Sequence, residues 1–432
     1  MAKSPQVDYQ KQSSVFDKLM EPVQSFIEKQ NQELTPHYRE KFSYQEFSRL
    51  LIFYFVSDIP SIALLLNTYL KKDLLSPELK LSKVPRSTFN DAFERFSPDL
   101  FKEMFIYLLK TLSLAAISEL AALGPLYCID SSVFPVLSSV KWAEYKEKFR
   151  AAKMHLCFEL NRMIPVNIII GTGNSNERDA LRQMLVGIVT YIADRGYMCF
   201  QLFHDILQAK AHFIFRVKSN LVYTVQESLS VQLPETVQAL FENVTDQIIQ
   251  CSHAPFGHTY RLVRFGVGTE QFYLLTDRID LTTFQIITLY AYRWQVELTF
   301  RFLKRTMYGI HLINNSECGV QIQFYVILIV ALLELKLKQY TLLQYEQDHQ
   351  DTDSHDDSDT NQGTNTNTDS LNLTEKADPA PRKAISHPYQ FFGMIGVKLK
   401  KYWKIGIHWL SALRSILDHP FDNAAIEILA TG

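Results

Sequence analysis

The chain lacks paired cysteines: Cys128, Cys157, Cys199, Cys251 and Cys318 are scattered through 432 residues. With no paired spacing among them, neither a disulfide framework nor a zinc site is expected, and a reducing cytosol fits. No apolar leader is expected either. The opening MAKSPQVDYQKQ is polar, and the longest unbroken apolar run, Phe324 to Leu333, is too short to cross a bilayer. A soluble protein, cytoplasmic in location, is therefore expected. Nor is there a strong charge of one sign, since the formal net charge is −2.

What is present supports a substantial buried core, because 47% of residues are hydrophobic and 12% aromatic. At this length two or three domains are expected. The near-zero charge is an average over unlike regions. Residues 346–378 hold ten acids (Glu346, Asp348, Asp351, Asp353, Asp356, Asp357, Asp359, Asp369, Glu375 and Asp378) against one base, Lys376, so that segment carries −9 and leaves +7 elsewhere. A modestly basic body is compatible with binding phosphate backbones, and a tethered polyanion would compete for the same surface.

Apolar patterning through Phe47, Leu50, Leu51, Phe53, Tyr54 and Phe55, then Ile59 to Leu66, predicts helices over 16–70. In SKVPRSTFNDAFERF, Ser87 or Thr88 can cap a helix whose Phe89, Ala92, Phe93 and Phe96 keep helical spacing. That stretch reads equally as the second helix of a DNA-binding helix-turn-helix or as an ordinary capped helix. An all-helical N-terminal domain over 1–115, binding DNA ends, is the expectation. From Leu126 the texture changes to short apolar runs alternating with helical stretches, the pattern of an α/β domain over 116–345. Strands are predicted at Leu126 to Ile129, His155 to Leu160, Val166 to Ile170, Val189 to Ala193 and His212 to Lys218, with a helix at Asp179 to Ile188. A β-rich insertion is predicted at about 219–280, with a hairpin of Tyr260 to Val267 and Gln271 to Leu275, followed by one helix over 283–306. Residues 346–384 are too polar to offset chain entropy and are expected without regular structure, before a helical element at 385–432.

Asp130 closes the first strand and Asp194 the fourth. Alone, each reads best as a turn or cap aspartate. The stretch LYAYRWQVELTFRFLK changes the balance. At about 100° per residue, with Tyr290 at zero, Arg293 falls near about 300°, Glu297 about 340° and Lys304 about 320°, while Leu289, Val296, Phe300 and Leu303 centre near about 250°. Polar groups thus line the margin of a buried stripe. The plainer reading is a surface helix with Arg293 and Glu297 paired four residues apart. Three carboxylates from two strands and a helix would suit Mg²⁺ or Mn²⁺, with two such ions expected.

The spacing Tyr290, Arg293, Glu297, Lys304 resembles the Tyr-Arg-Glu-Lys signature of bacterial insertion-sequence DDE transposases, in the family named after insertion sequence number four. Asp130-Ser131-Ser132 and Ala193-Asp194-Arg195-Gly196-Tyr197 are similar to its two aspartate motifs. The resemblance covers about 120–340. It implies a ribonuclease-H-like core with a β-rich insertion before the glutamate helix, and DNA cleavage and strand transfer at transposon ends. It also implies Asp130, Asp194 and Glu297 as catalytic metal ligands, and Tyr290, Arg293 and Lys304 as DNA contacts, the last two on phosphates. Partners would be terminal inverted repeats, target DNA and a second copy of the chain assembled on DNA. The acidic segment departs from the family pattern. Two other readings keep parts of this frame: a transposase-derived DNA-binding protein without catalysis, and a ribonuclease-H-like nuclease acting on another nucleic acid.

Among remaining candidates, Trp294 reads as packing. Lys153, Arg178, Arg216 and Lys218 could track a DNA backbone, though single basic residues are usually solvated surface. His155 and His204 have no ligand-spaced partners.

Overall fold

The chain is described by a computed structural model over residues 9–34, 42–57, 59–75, 77–137, 140–146, 149–252, 254–308 and 312–353. The helical element expected at 385–432, and the acidic segment beyond 353, lie outside the described residues. The described parts of 1–92, 103–114 and 326–404 form one compact unit, and those of 93–102 and 115–325 a second.

In the first unit the helix Tyr44–Val56 is buried on nearly all sides, as its unbroken apolar sequence requires. Its start is fixed by a capping box: Ser43 Oγ accepts from the Glu46 N–H at 3.2 Å, and Glu46 Oε2 accepts from the Ser43 N–H at 2.8 Å. Phe16, from the helix Tyr9–Glu33, meets Phe53 edge to face at 5.3 Å. The helix carrying the expected recognition pattern runs Arg86–Arg95, so it begins before the predicted Ser87 or Thr88 cap. Its apolar face does what the spacing predicts, with Phe89 packed on Phe47 at 5.5 Å. Part of the helix Glu317–Asp353, the stretch Glu317–Tyr340, is long and apolar enough to cross a bilayer by length and composition, and 72% of its most apolar window is buried inside the protein, as in a core helix. The same helix runs on to Asp353, into the segment expected to lack regular structure, because Leu, Gln and Glu after Tyr340 propagate a helix readily.

The second unit is built on one ten-stranded sheet. Its strands are β1 (Leu126–Val136), β2 (Glu144–Lys146), β3 (Phe149–Glu159), β4 (Ile164–Thr172), β5 (Thr190–Ala193), β6 (His212–Arg216), β7 (Tyr223–Ser228), β8 (Glu242–Cys251), β9 (Thr259–Val267) and β10 (Glu270–Thr276). The order is β2-β3-β1-β5-β6-β10-β9-β8-β7, with β4 also on β3. β1, β3 and β4 are antiparallel neighbours, whereas β5 and β6 run parallel to β1. The short, almost wholly apolar β5 and β6 suit strands covered on both faces. One cover is the helix Phe200–Gln208, whose Phe203 stacks on Phe213 at 4.5 Å.

All five strands predicted before residue 219 are present, β1, β3 and β4 longer than expected. The hairpin is β9 and β10, turning at Gly268, whose φ of +56° needs glycine's freedom. The segment expected as an insertion does not stand apart. It extends the same sheet, because β10 pairs antiparallel with β6 through Leu274↔Arg216 and Thr276↔Ile214.

The single helix expected over 283–306 is a correction. Two helices occupy it, Thr283–Ala291 and Trp294–Tyr308, separated by a turn at Tyr292 and Arg293. Leu289, Val296, Phe300 and Leu303 are buried as the stripe predicts. Tyr290, placed at the polar margin by a continuous helix, is instead 3% exposed and meets Phe272 edge-on at 6.3 Å.

Candidate active site

Ile129 and Ala193 are register partners in the parallel pairing of β1 and β5. The next residue on each strand is an aspartate, so Asp130 and Asp194 arise side by side by backbone geometry alone. Asp194 caps the short turn Arg195–Tyr197, its Oδ1 accepting from the Gly196 N–H at 2.8 Å. Asp130 Oδ1 accepts from the Ser131 N–H at 2.7 Å. Burial pushes the Asp130 carboxyl up to about 7; the Ser131 N–H and the Arg293 charge pull it down, and the Asp194 and Glu297 charges push it further up.

Glu297 lies in the first turn of the helix Trp294–Tyr308, and Arg293 Nη2 donates to its Oε1 at 2.8 Å. The Arg293 guanidinium also lies 5.7 Å from the centre of the Tyr290 ring, and its Nε is buried with no hydrogen-bond partner among the described residues. Lys304 is exposed, its ammonium 5.7 Å from the Phe134 ring on β1. Asp130, Asp194, Glu297, Arg293 and Tyr290 therefore belong to one electrostatic cluster, while Lys304 stands one to two turns along the helix from it.

Among the described residues no three histidine, cysteine, aspartate or glutamate side chains are set to hold a metal ion as they point here. In this arrangement Glu297 Oε1 is engaged by the Arg293 guanidinium at 2.8 Å. The donor chemistry nonetheless fits a hard divalent ion. Three carboxylates are at hand, each with one oxygen engaged (Oδ1 of Asp130, Oδ1 of Asp194 and Oε1 of Glu297), and Asp130 carries a desolvation cost that a cation relieves.

A fourth acid escaped the sequence reading. Glu177 opens the helix Glu177–Met184 behind its Asn176 cap, and its Oε1 accepts from Ser131 Oγ at 2.7 Å and pairs with Lys153 Nζ at 2.9 Å. An acid in the first turn of a helix is ordinary complementation of the helix dipole, so nothing in the sequence sets it apart. Lys153 and Arg216 do not present free charge for a DNA backbone: Lys153 is 13% exposed on Glu177, and Arg216 pairs with Glu270 at 2.9 Å over the Phe272 ring. Arg178 Nε reaches the Gly196 carbonyl at 3.4 Å, whereas Lys218 is exposed. His155 bonds Ser175 Oγ at 2.8 Å, and burial lowers it to about 4, so the ring is neutral. His204 pairs with His258 at 3.0 Å. Trp294 is half-buried beneath the Arg301 guanidinium at 4.8 Å.

Residues 122–333 match the family of the transposase DDE domain. A protein of Sinorhizobium fredii that carries the name transposase y4zB is 28% identical over 214 residues, 48% of this chain and 59% of that protein. One named for insertion sequence element IS5377 of Geobacillus stearothermophilus is 21% identical over 263 residues, 60% of this chain and 69% of its own. Another, named for element IS4SA of a Synechocystis species, is 24% identical over 267 residues, 60% of this chain and 73% of its own. The chain spans about three fifths of the length of the first of these relatives, 59%. Among solved structures, the piggyBac transposase synaptic complex with hairpin DNA aligns over 78% of this chain and 77% of that one, at 13% identity and a TM-score of 0.42, too loose a likeness to carry an argument. Residues 122–333 are thus similar to the transposase DDE domain, and the chain is similar to proteins named as transposases of bacterial insertion sequences.

Proposed function

We propose that the chain is a DNA transposase that cuts and joins phosphodiester bonds at transposon ends. The observation that carries this reading is the emergence of Asp130 and Asp194 from register-paired parallel strands, with Glu297 and Arg293 in the same charge cluster. The strand order β4-β3-β1-β5-β6, three antiparallel strands followed by two parallel, supports a ribonuclease-H-like core. The four-part spacing from Tyr290 to Lys304 supports the family named after insertion sequence number four.

Asp130, Asp194 and Glu297 would hold divalent metal, Mg²⁺ or Mn²⁺, as two ions. When bound, such ions activate a water or 3′-hydroxyl and stabilise the leaving oxygen. The remaining work falls to side chains of this chain. Arg293, once released from Glu297, presents a planar guanidinium to a phosphate next to the scissile one. The exposed Lys304 supplies a second phosphate contact. Tyr290, buried under Arg293, acts on DNA through the orientation it gives that guanidinium. Terminal inverted repeats and target DNA would be the substrates, a DNA-assembled homodimer the working form, and the cytoplasm with its chromosomal DNA the setting.

The test uses Asp130→Ala, Asp194→Ala and Glu297→Ala. Each is expected to abolish cleavage and strand transfer while end-binding in metal-free buffer is retained, because each removes a metal ligand and no DNA contact. Full cleavage by any one of them overturns the assignment. Wild-type protein that binds ends yet cleaves nothing would instead make the chain a DNA-binding descendant of such enzymes.

A further inference from the structure

We infer that Glu177, with Lys153 as its counter-ion, is a positioning residue that sets both aspartates of the site; this rests on reading Asp130 and Asp194 as metal ligands. Asp130 stands within β1 and Asp194 just past the end of β5, and a common metal demands a fixed distance between the two. Glu177 bonds the residue after Asp130 and borders the turn that follows Asp194. On one side its Oε1 accepts from Ser131 Oγ at 2.7 Å, and the N–H of that same Ser131 holds Asp130 Oδ1 at 2.7 Å. On the other side its Oε2 lies 3.2 Å from where a Cβ on Gly196 would stand, and the Gly196 N–H holds Asp194 Oδ1 at 2.8 Å.

Gly196 leaves room between the two carboxylates. A Cβ there would sit 3.1 Å from Asp194 Oδ1 and 3.2 Å from Glu177 Oε2, closer than ordinary contact to two carboxylates at once. A side chain at 196 would therefore make both carboxylates yield slightly, although the backbone angle itself would accept one. The adjacent Arg178 holds the same turn through Nε to the Gly196 carbonyl at 3.4 Å, so successive residues of one helix end act on it.

The helix end is itself tied to β3. Lys153 Nζ pairs with Glu177 at 2.9 Å and donates to the Ser175 carbonyl at 3.3 Å, and His155 meets Ser175 Oγ at 2.8 Å. Two β3 side chains thus anchor the segment that presents Glu177. An ordinary surface ion pair would need neither the second anchor nor the contacts beside both aspartates.

The experiment uses the full chain and Mn²⁺, read by the loss of the free-ion electron paramagnetic resonance signal, beside cleavage of end DNA. Glu177→Gln keeps an acceptor for Ser131 and loses the charge that Lys153 and Gly196 face. It is expected to weaken Mn²⁺ binding by about tenfold, within the range typical of groups that orient metal ligands. The turnover number kcat should fall while KM for end DNA stays unchanged. Ser131→Ala, which removes only a hydroxyl, should shift both in the same direction, and Lys153→Arg should preserve wild-type Mn²⁺ affinity where Lys153→Met does not. Wild-type Mn²⁺ affinity and kcat in Ser131→Ala, and in Glu177→Gln where that variant folds, with both lost in Asp130→Ala, would overturn the role of Glu177 and leave the site assignment standing. Unaltered Mn²⁺ affinity and cleavage in Asp130→Ala would overturn the site assignment, and this inference with it.

Discussion

Two arginine–carboxylate pairs in the sheet unit differ in how completely they are closed. Arg261 on β9 and Asp246 on β8 are 4% and 0% exposed and form a bidentate pair, Nε to Oδ1 at 2.8 Å and Nη2 to Oδ2 at 2.6 Å. Arg261 Nη1 donates to the Arg278 and Leu281 carbonyls, and Thr283 Oγ1 donates to Asp246 Oδ2 at 2.7 Å. Every nitrogen of that guanidinium is spent inside the fold. Arg293 and Glu297 share one bond of 2.8 Å, leave the Arg293 Nε without a partner among the described residues, and keep Glu297 28% exposed. Beside them Asp130 is held up to about 7 by burial. The closed pair is architecture; the open one keeps an oxygen of Glu297 and the Nε of Arg293 unspent, which the proposed function assigns to a cation and a phosphate.

The largest effect should separate these pairs by stability. Arg261→Ala strands the buried Asp246 charge and should cost about 3–5 kcal/mol in denaturant unfolding. Arg293→Ala should cost less than half as much, since Glu297 has solvent to turn to. Equal losses would erase the distinction.

A middle-sized effect follows from Asp130. Its folded pKa of about 7 lies above the unfolded value, so the folded state binds the extra proton. Stability is then fully present below the unfolded pKa of about 4 and falls as pH rises toward 7. Asp130→Asn should therefore stabilise the metal-free protein at pH 8, by about 2 kcal/mol after discounting for solvent screening, with the gain fading toward pH 5. Thermal melting across that range checks it, and a gain that grows on acidification would contradict the burial account. Smaller still, Arg293→Ala and Lys304→Ala should each lower the slope of log affinity for cleaved ends against log salt by about 1. Unchanged slopes would mean that Arg293 only braces Glu297.

The elements of the open site were legible in the sequence because each obeys a local rule. Apolar runs ending in aspartate marked β1 and β5, and the spacing from Tyr290 to Lys304 marked the charged helix margin. The break at Tyr292 and Arg293 was not legible, since neither residue is a glycine or proline and the apolar stripe from Leu289 to Leu303 continues across it. Tyr290 was therefore assigned to the margin when it lies in the core. Glu177 meets Ser131 across 46 positions of sequence, and Arg261 meets Asp246 by strand register, so both depend on pairings that no local pattern specifies. The extension of the sheet by β7 to β10 was hidden for the same reason, as it depends on β10 choosing β6.

The most direct test of the open site is a crystal of the full chain soaked in Mn²⁺ and read by anomalous scattering. The account predicts manganese bound by Asp130, Asp194 and Glu297, with the Arg293 guanidinium displaced from Glu297 Oε1. Manganese bound elsewhere on the chain, with the 2.8 Å Arg293–Glu297 pair intact, would contradict it.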